Sequence, residues 1–425
     1  MSISKRTVVK FCGMLIIFAG CSGASVRQES TAGTPDIRVC IADRAHEVTI
    51  GIVEGAVLQT VEGRYALDGF SEMRCVLEED GAVRVVMDGR PARTFRGVAR
   101  CFYRERGHEF TIEKRIYADT LLIASDGSGL YVINVLPLEE YLKSVLPREI
   151  GRNRKSDEIN AILAQAILAR TYAMTKISLP LTRLFDVYDD TRDQVFGGLT
   201  GRDALTTLAV ERSKGQVLTY GGTLAECYFH STCGGHTEAS SLVWRRPQSK
   251  PYLRGIRDSG RHTDYCRISP SYRWSEEYSR EEIEATLRAF LPSANDAILP
   301  SDIPAEKWYL LDMLILKRGV SGRVTLLQVI MGNRMQQRSY YLHGDRIRWA
   351  LRQSGGSRPL RSTLFDVTLS RNAAKWIERV RFDGGGSGHG VGFCQWGAIG
   401  MARAGYSVDE ILKAYFPGTS MKRSY

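Results

Sequence analysis

The sequence predicts an α+β protein, with a β-rich N-terminal region packed against a mixed helix/strand core that forms a cleft. Two observations carry this. Short apolar runs bounded by turn residues fill the stretch from Asp36 to Asn134. Helical periodicity then takes over from Leu136 to Ile177, and beyond it helix-like and strand-like stretches alternate with glycine-rich loops. At 425 residues the chain is long enough for two or three cores. The net charge of +11 is spread, without a long basic run, which suits an anionic polymer or surface without choosing one.

The first element, residues 1–21, reads as a lipoprotein-type signal peptide. Lys5, Arg6 and Lys10 precede an apolar stretch from Phe11 to Gly20, which is too short to span a bilayer. It ends in Phe18-Ala19-Gly20-Cys21, so Cys21 is the expected lipidation site, with plain secretory cleavage as the alternative. An exported protein held at the cell envelope by an N-terminal lipid is the resulting expectation. Residues 22–35 form a polar tether. Seven cysteines remain beyond Cys21, an odd number, so at least one thiol stays unpaired.

Residues 36–134 follow as the β-rich region, with strands expected at Ile37–Ile41, Val83–Met87, Thr120–Ala124 and Tyr131–Val135. No acid–base cluster lies here, so an accessory or fold-completing sheet is its expected role.

Residues 135–250 open the core. A first helical run ends near Gly151, just after Glu149, which follows Pro147 and sits between Leu146 and Ile150. A second helix begins with Ser156 as its expected N-cap. Ile159, Ile162, Leu163, Ala166, Ile167, Ala173, Met174 and Ile177 share one face of it, with Arg170 near the middle of that arc. A buried guanidinium must be paired. Its partner is either a structural carboxylate or carbonyl, or a ligand group. The loop from Phe185 to Gly198 is polar and can bring side chains to a cleft. A helix is expected over Asp203–Lys214. Gln216–Tyr220 and Ala225–Phe229 read as a hairpin about Gly221-Gly222.

The hairpin runs into His230-Ser231-Thr232-Cys233-Gly234-Gly235-His236. Cys233 and His236, with His230 as a further candidate, can hold zinc. The alternative is a polar loop with no metal. Residues 251–379 mix a helix (Arg280–Phe290) with strands (Lys307–Lys317, Arg323–Met331) and complete the fold. Residues 380–425 carry a glycine-dense loop from Asp383 to Ala398, whose glycines are expected to let backbone approach a ligand closely, and C-terminal helices, the last capped at Ser407. Without Gly-Lys-Ser/Thr or a compact βαβ unit, that loop is not a nucleotide site, and no nucleic-acid partner is expected. His389, Gln395 and Trp396 instead suit a sugar: an indole stacks on a pyranose and an amide bonds its hydroxyls.

Three separated segments together carry a family resemblance. They are Leu138-Glu139-Glu140-Tyr141-Leu142 through Pro147-Arg148-Glu149 and on to Ala169-Arg170-Thr171-Tyr172-Ala173; Phe229-His230-Ser231 with Gly234-Gly235-His236-Thr237; and Gly388-His389-Gly390-Val391-Gly392 with Gln395-Trp396-Gly397-Ala398. In this order they resemble the stage II sporulation protein D / amidase-enhancer family. Ile150, Asp193, Phe196, Cys233, Phe393 and Cys394 depart from the residues usual there. The resemblance implies a peptidoglycan lytic transglycosylase with Glu149 as its catalytic acid. It implies substrate contacts from Gln165, Arg170, Tyr172, Gln194, His230 and Ser231, alongside the sugar-binding candidates. Some members are described instead as activators of a cell-wall amidase, so a silent wall-binding activator is the second expectation. Transglycosylation onto an internal hydroxyl needs no activated water and no cofactor, and one carboxyl can serve as acid and then base.

Overall fold

The computed structural model describes residues 33–87, 92–105, 107–179, 184–247, 250–260, 263–291, 309–333, 336–353 and 358–425. The expected signal peptide with Cys21, and most of the expected tether, lie outside these residues.

The β-rich region forms two sheets. One has seven strands, in the spatial order Val187–Tyr188, Asp36–Ala45, Leu130–Pro137, Thr120–Ser125, Val98–Tyr103, Ala56–Thr60 and Gly63–Ala66. The other has six, in the order Arg115–Ala118, Glu109–Ile112, Glu47–Gly51, Glu72–Leu77, Val83–Val86 and Arg93–Phe95. Ile37, Ile50, Met73, Val85 and Leu121 of these sheets join Leu142, Ile167, Phe393 and Ile411 in one continuous apolar cluster. The sheets therefore complete the fold that houses the helices.

Strand Leu130–Pro137 passes directly into helix α1 (Leu138–Glu149). A 3-10 turn, Ser156–Glu158, precedes helix α2 (Ile159–Ile177). Ser156 does not cap α2, contrary to expectation. The buried Glu158 carboxylate instead accepts the Lys155 N–H at 3.2 Å and pairs with Arg403. Nor does α2 present a single apolar face: every residue from Ala164 to Thr171 is buried. It runs through the centre of the protein, packed against α1, α3 (Ala204–Arg212), the strand Gln216–Tyr220, and two C-terminal helices described below.

The hairpin about Gly221-Gly222 forms, but its second strand is only Thr223–Leu224. The expected continuation to Phe229 leaves the hairpin, and Phe229-His230 pairs in parallel with Phe393-Cys394. That exchange brings the histidine loop beside the glycine-dense loop. A short helix, α4 (Ser240–Trp244), follows.

Residues 274–384 build a second core. Helices α5 (Arg280–Phe290) and α6 (Arg346–Ala350) cover two three-stranded sheets, and Tyr278, Leu287, Leu327, Ile347 and Phe382 meet inside. Of the strand expected at Lys307–Lys317, the part from Tyr309 is present and its first two residues lie outside the described set. The chain then returns through the glycine-dense loop to α7 (Gln395–Arg403) and α8 (Val408–Tyr415), the latter held by the expected Ser407/Glu410 capping box. The architecture is α+β, with a β-rich N-terminal region.

Candidate active site

Glu149 is the last residue of α1. Ile150 closes the helix by donating to the Leu146 carbonyl at 3.0 Å, and Gly151, at φ +94°, turns the chain away. The half-buried carboxyl keeps one hydrogen bond among the described residues, from the Val195 N–H at 3.1 Å. Burial pushes its pKa up to about 7, against the smaller opposing effect of the Val195 N–H. The negative end of the α1 dipole further disfavours its ionised form. Near neutrality the group can therefore both give and take a proton.

The loop that supplies Val195 is anchored to the N-terminal sheet. Val187-Tyr188 runs parallel to Val39-Cys40, and Asp186 accepts from the Arg38 backbone at 2.9 Å and from its guanidinium at 2.7 Å. The same loop places Gln194 and Asp193 near the acid. The Gln194 Oε1 accepts from Tyr141 at 3.2 Å. Tyr172 donates to Asp193 at 2.5 Å, and burial with that carboxylate raises the phenol's pKa. Asp193 also pairs with Lys176 at 2.6 Å and accepts the Tyr188 N–H at 2.9 Å. This second carboxylate, to which sequence reading gave no role within a run of loop aspartates, has its oxygens engaged, which leaves Glu149 as the available proton donor.

On the other side, Gln395 donates to Gln165 at 3.3 Å, and Arg154 links the Ile150 carbonyl (2.7 Å) to the Trp396 ring, its guanidinium 4.8 Å from the ring centre. The Trp396 backbone N–H donates to the Ser231 carbonyl at 3.0 Å. Gln165, Tyr172, Gln194, Ser231, Gln395 and Trp396 are thus linked to the surroundings of Glu149. Among the described residues, Gln165 Nε2, Gln194 Nε2 and His230 Nε2 are buried without a hydrogen-bond partner. Tyr228 and Trp244, which no sequence signal marked, stack with His389 and His230 in one aromatic cluster.

Four expectations are corrected. Arg170 is not a substrate residue. It lies on the side of α2 away from Tyr172, fully buried, and grips Glu139 with two bonds of 2.9 and 2.7 Å while donating to the Gln216 and Val210 carbonyls. His389 has no free ring nitrogen: Nε2 meets the Phe229 carbonyl at 3.0 Å and Nδ1 accepts the Val391 N–H at 3.0 Å. Burial lowers its pKa to about 4 and also holds that of His230 well below the usual imidazole range, so both imidazoles are neutral near pH 7. The glycines of the C-terminal loop serve close approach to protein rather than to ligand. A Cβ on Gly388 would sit 2.8 Å from His230, and one on Gly390 would overlap the Arg323 guanidinium. His236 turns its Nδ1 to the Thr237 carbonyl at 2.7 Å, and His230 Nδ1 faces the Val391 carbonyl. Neither joins Cys233, whose sulfur lies instead with Asp258, Cys266 and Cys394.

Two cavities lie elsewhere. One of about 950 Å³ opens at the far end of α1, lined by Arg100, Glu139, Lys143 and Arg202. The other, about 230 Å³, adjoins Tyr265 and Tyr406. The expected cleft at Glu149 coincides with neither.

Fold and site together define an α+β protein organised around one lifted carboxyl at a helix C-terminus. The family model described as "Stage II sporulation protein" matches residues 126–220, and a domain of unknown function matches residues 264–392. An uncharacterized protein of Brachyspira hyodysenteriae is 30% identical over 315 residues, which are 73% of this chain and 74% of that protein. The Bacillus subtilis protein named Amidase enhancer is 30% identical over 312 residues, 66% of this chain and 40% of that longer protein. Stage II sporulation protein D of Bacillus subtilis is 26% identical over 304 residues, 68% of this chain and 75% of its own length. The chain belongs to the stage II sporulation protein D / amidase-enhancer family.

Proposed function

We propose that this protein cleaves peptidoglycan glycan strands without water, as a lytic transglycosylase, with Glu149 moving the proton in both directions. Its family gives it a cell-wall related role. The observation that carries the finer reading is the Glu149 carboxyl, its pKa pushed up to about 7 by burial, with no free second carboxylate beside it among the described residues. Hydrolysis of a glycosidic bond ordinarily takes two carboxyl groups. Here one suffices. Glu149 protonates the bridging oxygen as the bond to the muramyl anomeric carbon breaks. The resulting carboxylate then takes the proton of the same sugar's 6-hydroxyl as that oxygen bonds to the anomeric carbon. An anhydro ring closes, and the acid is restored. The partnerless amides of Gln165 and Gln194 support a hydroxyl-rich ligand, since a buried donor left unpaired costs about 1–3 kcal/mol. Mass analysis of purified wall digested by the wild-type protein tests the reading: anhydro-muramyl ends are expected, and reducing ends alone would refute it.

A second reading, activation of a cell-wall amidase, is favoured by the name of one relative. Under it, the protein stimulates an amidase on wall material while cutting no glycan itself.

The same proposal places the protein outside the cytoplasm on a lipid at Cys21. Among the described residues no helix is long and apolar enough to cross a membrane. Cys21→Ser is expected to move the protein from the membrane to the soluble fraction of the envelope. Wild type recovered as soluble protein would count against the anchor.

A further inference from the structure

We propose that Cys233, Asp258, Cys266 and Cys394 form a tetrahedral zinc centre. All four are buried, and one ligand atom from each lies within 4.8 Å of the others. The Cys233 and Cys266 sulfurs are 3.5 Å apart, and the Cys233 sulfur is 2.9 Å from Asp258 Oδ2. With zinc–sulfur bonds of about 2.3 Å, the edge of a tetrahedral site is roughly 3.8 Å. The four donors therefore need only small shifts to surround an ion.

The surroundings fit the same reading. Backbone N–H groups point at sulfur: Gly235 to Cys233 at 3.3 Å, and both Cys233 (3.1 Å) and Gly397 (3.3 Å) to Cys394. Thiols are weak acceptors, whereas thiolates reward such donors. Cys394 is the N-cap of α7, where the helix dipole favours an anion. Tyr415 donates to Asp258 Oδ1 at 2.7 Å, which leaves Oδ2 turned to the sulfurs. This is how a supporting hydrogen bond orients a metal-binding carboxylate. Three thiolates, a carboxylate and a zinc ion sum to a net charge of −2. The fully buried Arg323 lies alongside to offset it, its guanidinium bonded to the carbonyls of Cys233 (2.7 Å) and His236 (3.0 Å). Soft thiolate donors select zinc over the hard cations, and four protein ligands leave no open position, so the centre is structural. It pins the loop after His230 to the start of α7, the two segments that carry Ser231, Gln395 and Trp396.

Full-length protein purified without chelator from zinc-supplemented medium is expected to carry about one zinc per chain by elemental mass spectrometry. Cys266→Ser should lose most of it, whereas His236→Ala should keep it. Should Cys266→Ser not fold, the wild type decides alone. Cobalt(II) exchanged into it should show the intense thiolate-to-metal charge-transfer absorption of a multi-cysteine site. Wild type that is metal-free, with three free thiols or with a Cys233–Cys266 disulfide by intact mass, overturns the proposal.

Discussion

Glu149→Gln is expected to lower the rate at which anhydro-muramyl ends form by about a hundred- to ten-thousand-fold, the usual contribution of a positioned acid–base group. The amide still accepts the Val195 N–H, so fold and wall binding should persist. A binding assay on insoluble wall, run beside the product assay, separates the two. Stability should move the other way. The wild-type carboxyl has its pKa lifted by burial from 4.5 to about 7. The folded protein therefore binds more protons than the unfolded chain between those values, and it loses stability as pH rises through that window. The Gln variant has no such loss. Its stability advantage should grow from pH 4.5 to pH 7 and level off above, at on the order of 3 kcal/mol. Equal rates of anhydro-end formation in both proteins would show that Glu149 is not the acid. Equal stimulation of an amidase by both, with no glycan cut by either, would favour the activator reading.

Arg170→Ala is expected to cost about 3–5 kcal/mol of folding stability, because it strands the Glu139 carboxylate in the core. Burial alone would raise that carboxyl's pKa, but Arg170, Tyr425 and the Gly215 N–H together hold it below the usual range. Pairing Arg170→Met with Glu139→Gln should recover much of the loss, since the amide still accepts from Tyr425 and no charge is left behind. Urea denaturation of the wild type and these two variants checks this. An Arg170→Ala protein as stable as wild type but unable to bind wall would restore the ligand role that the structure withdraws.

Legibility followed the range of the interactions. The α1 and α2 helices, α5 and the Ser407 cap were readable because periodicity and capping are local, and Glu149 stood out by its place between Pro147 and Gly151. The sequence also left Arg170 open between two partners, and only the fold could choose Glu139 over a sugar. What could not be read depends on long-range pairing. Nothing near Phe229 announces that it leaves its hairpin for Phe393, and nothing near Cys233 announces Asp258, Cys266 or Cys394. The glycines of the C-terminal loop signalled close approach correctly, but a sequence does not say to what. Asp193 stood out only as a departure from the family pattern: one acid among several in a polar loop shows no role until Tyr172 and Lys176 are seen around it.

The pairing of Phe229-His230 with Phe393-Cys394 also sets an order in time. The Cys233 N–H and the Cys394 sulfur that meet there are 161 positions apart, and Tyr425 reaches Glu139 across 286. Contacts between such distant segments close late, because long loops must be closed before the contacts reward them. A chain emerging with its N-terminus first has Glu149 long before it has the residues of α7 that complete the surroundings. On the proposed function, the surroundings of the acid are thus completed by the arrival of the chain's own C-terminal segment rather than by cleavage of a propeptide.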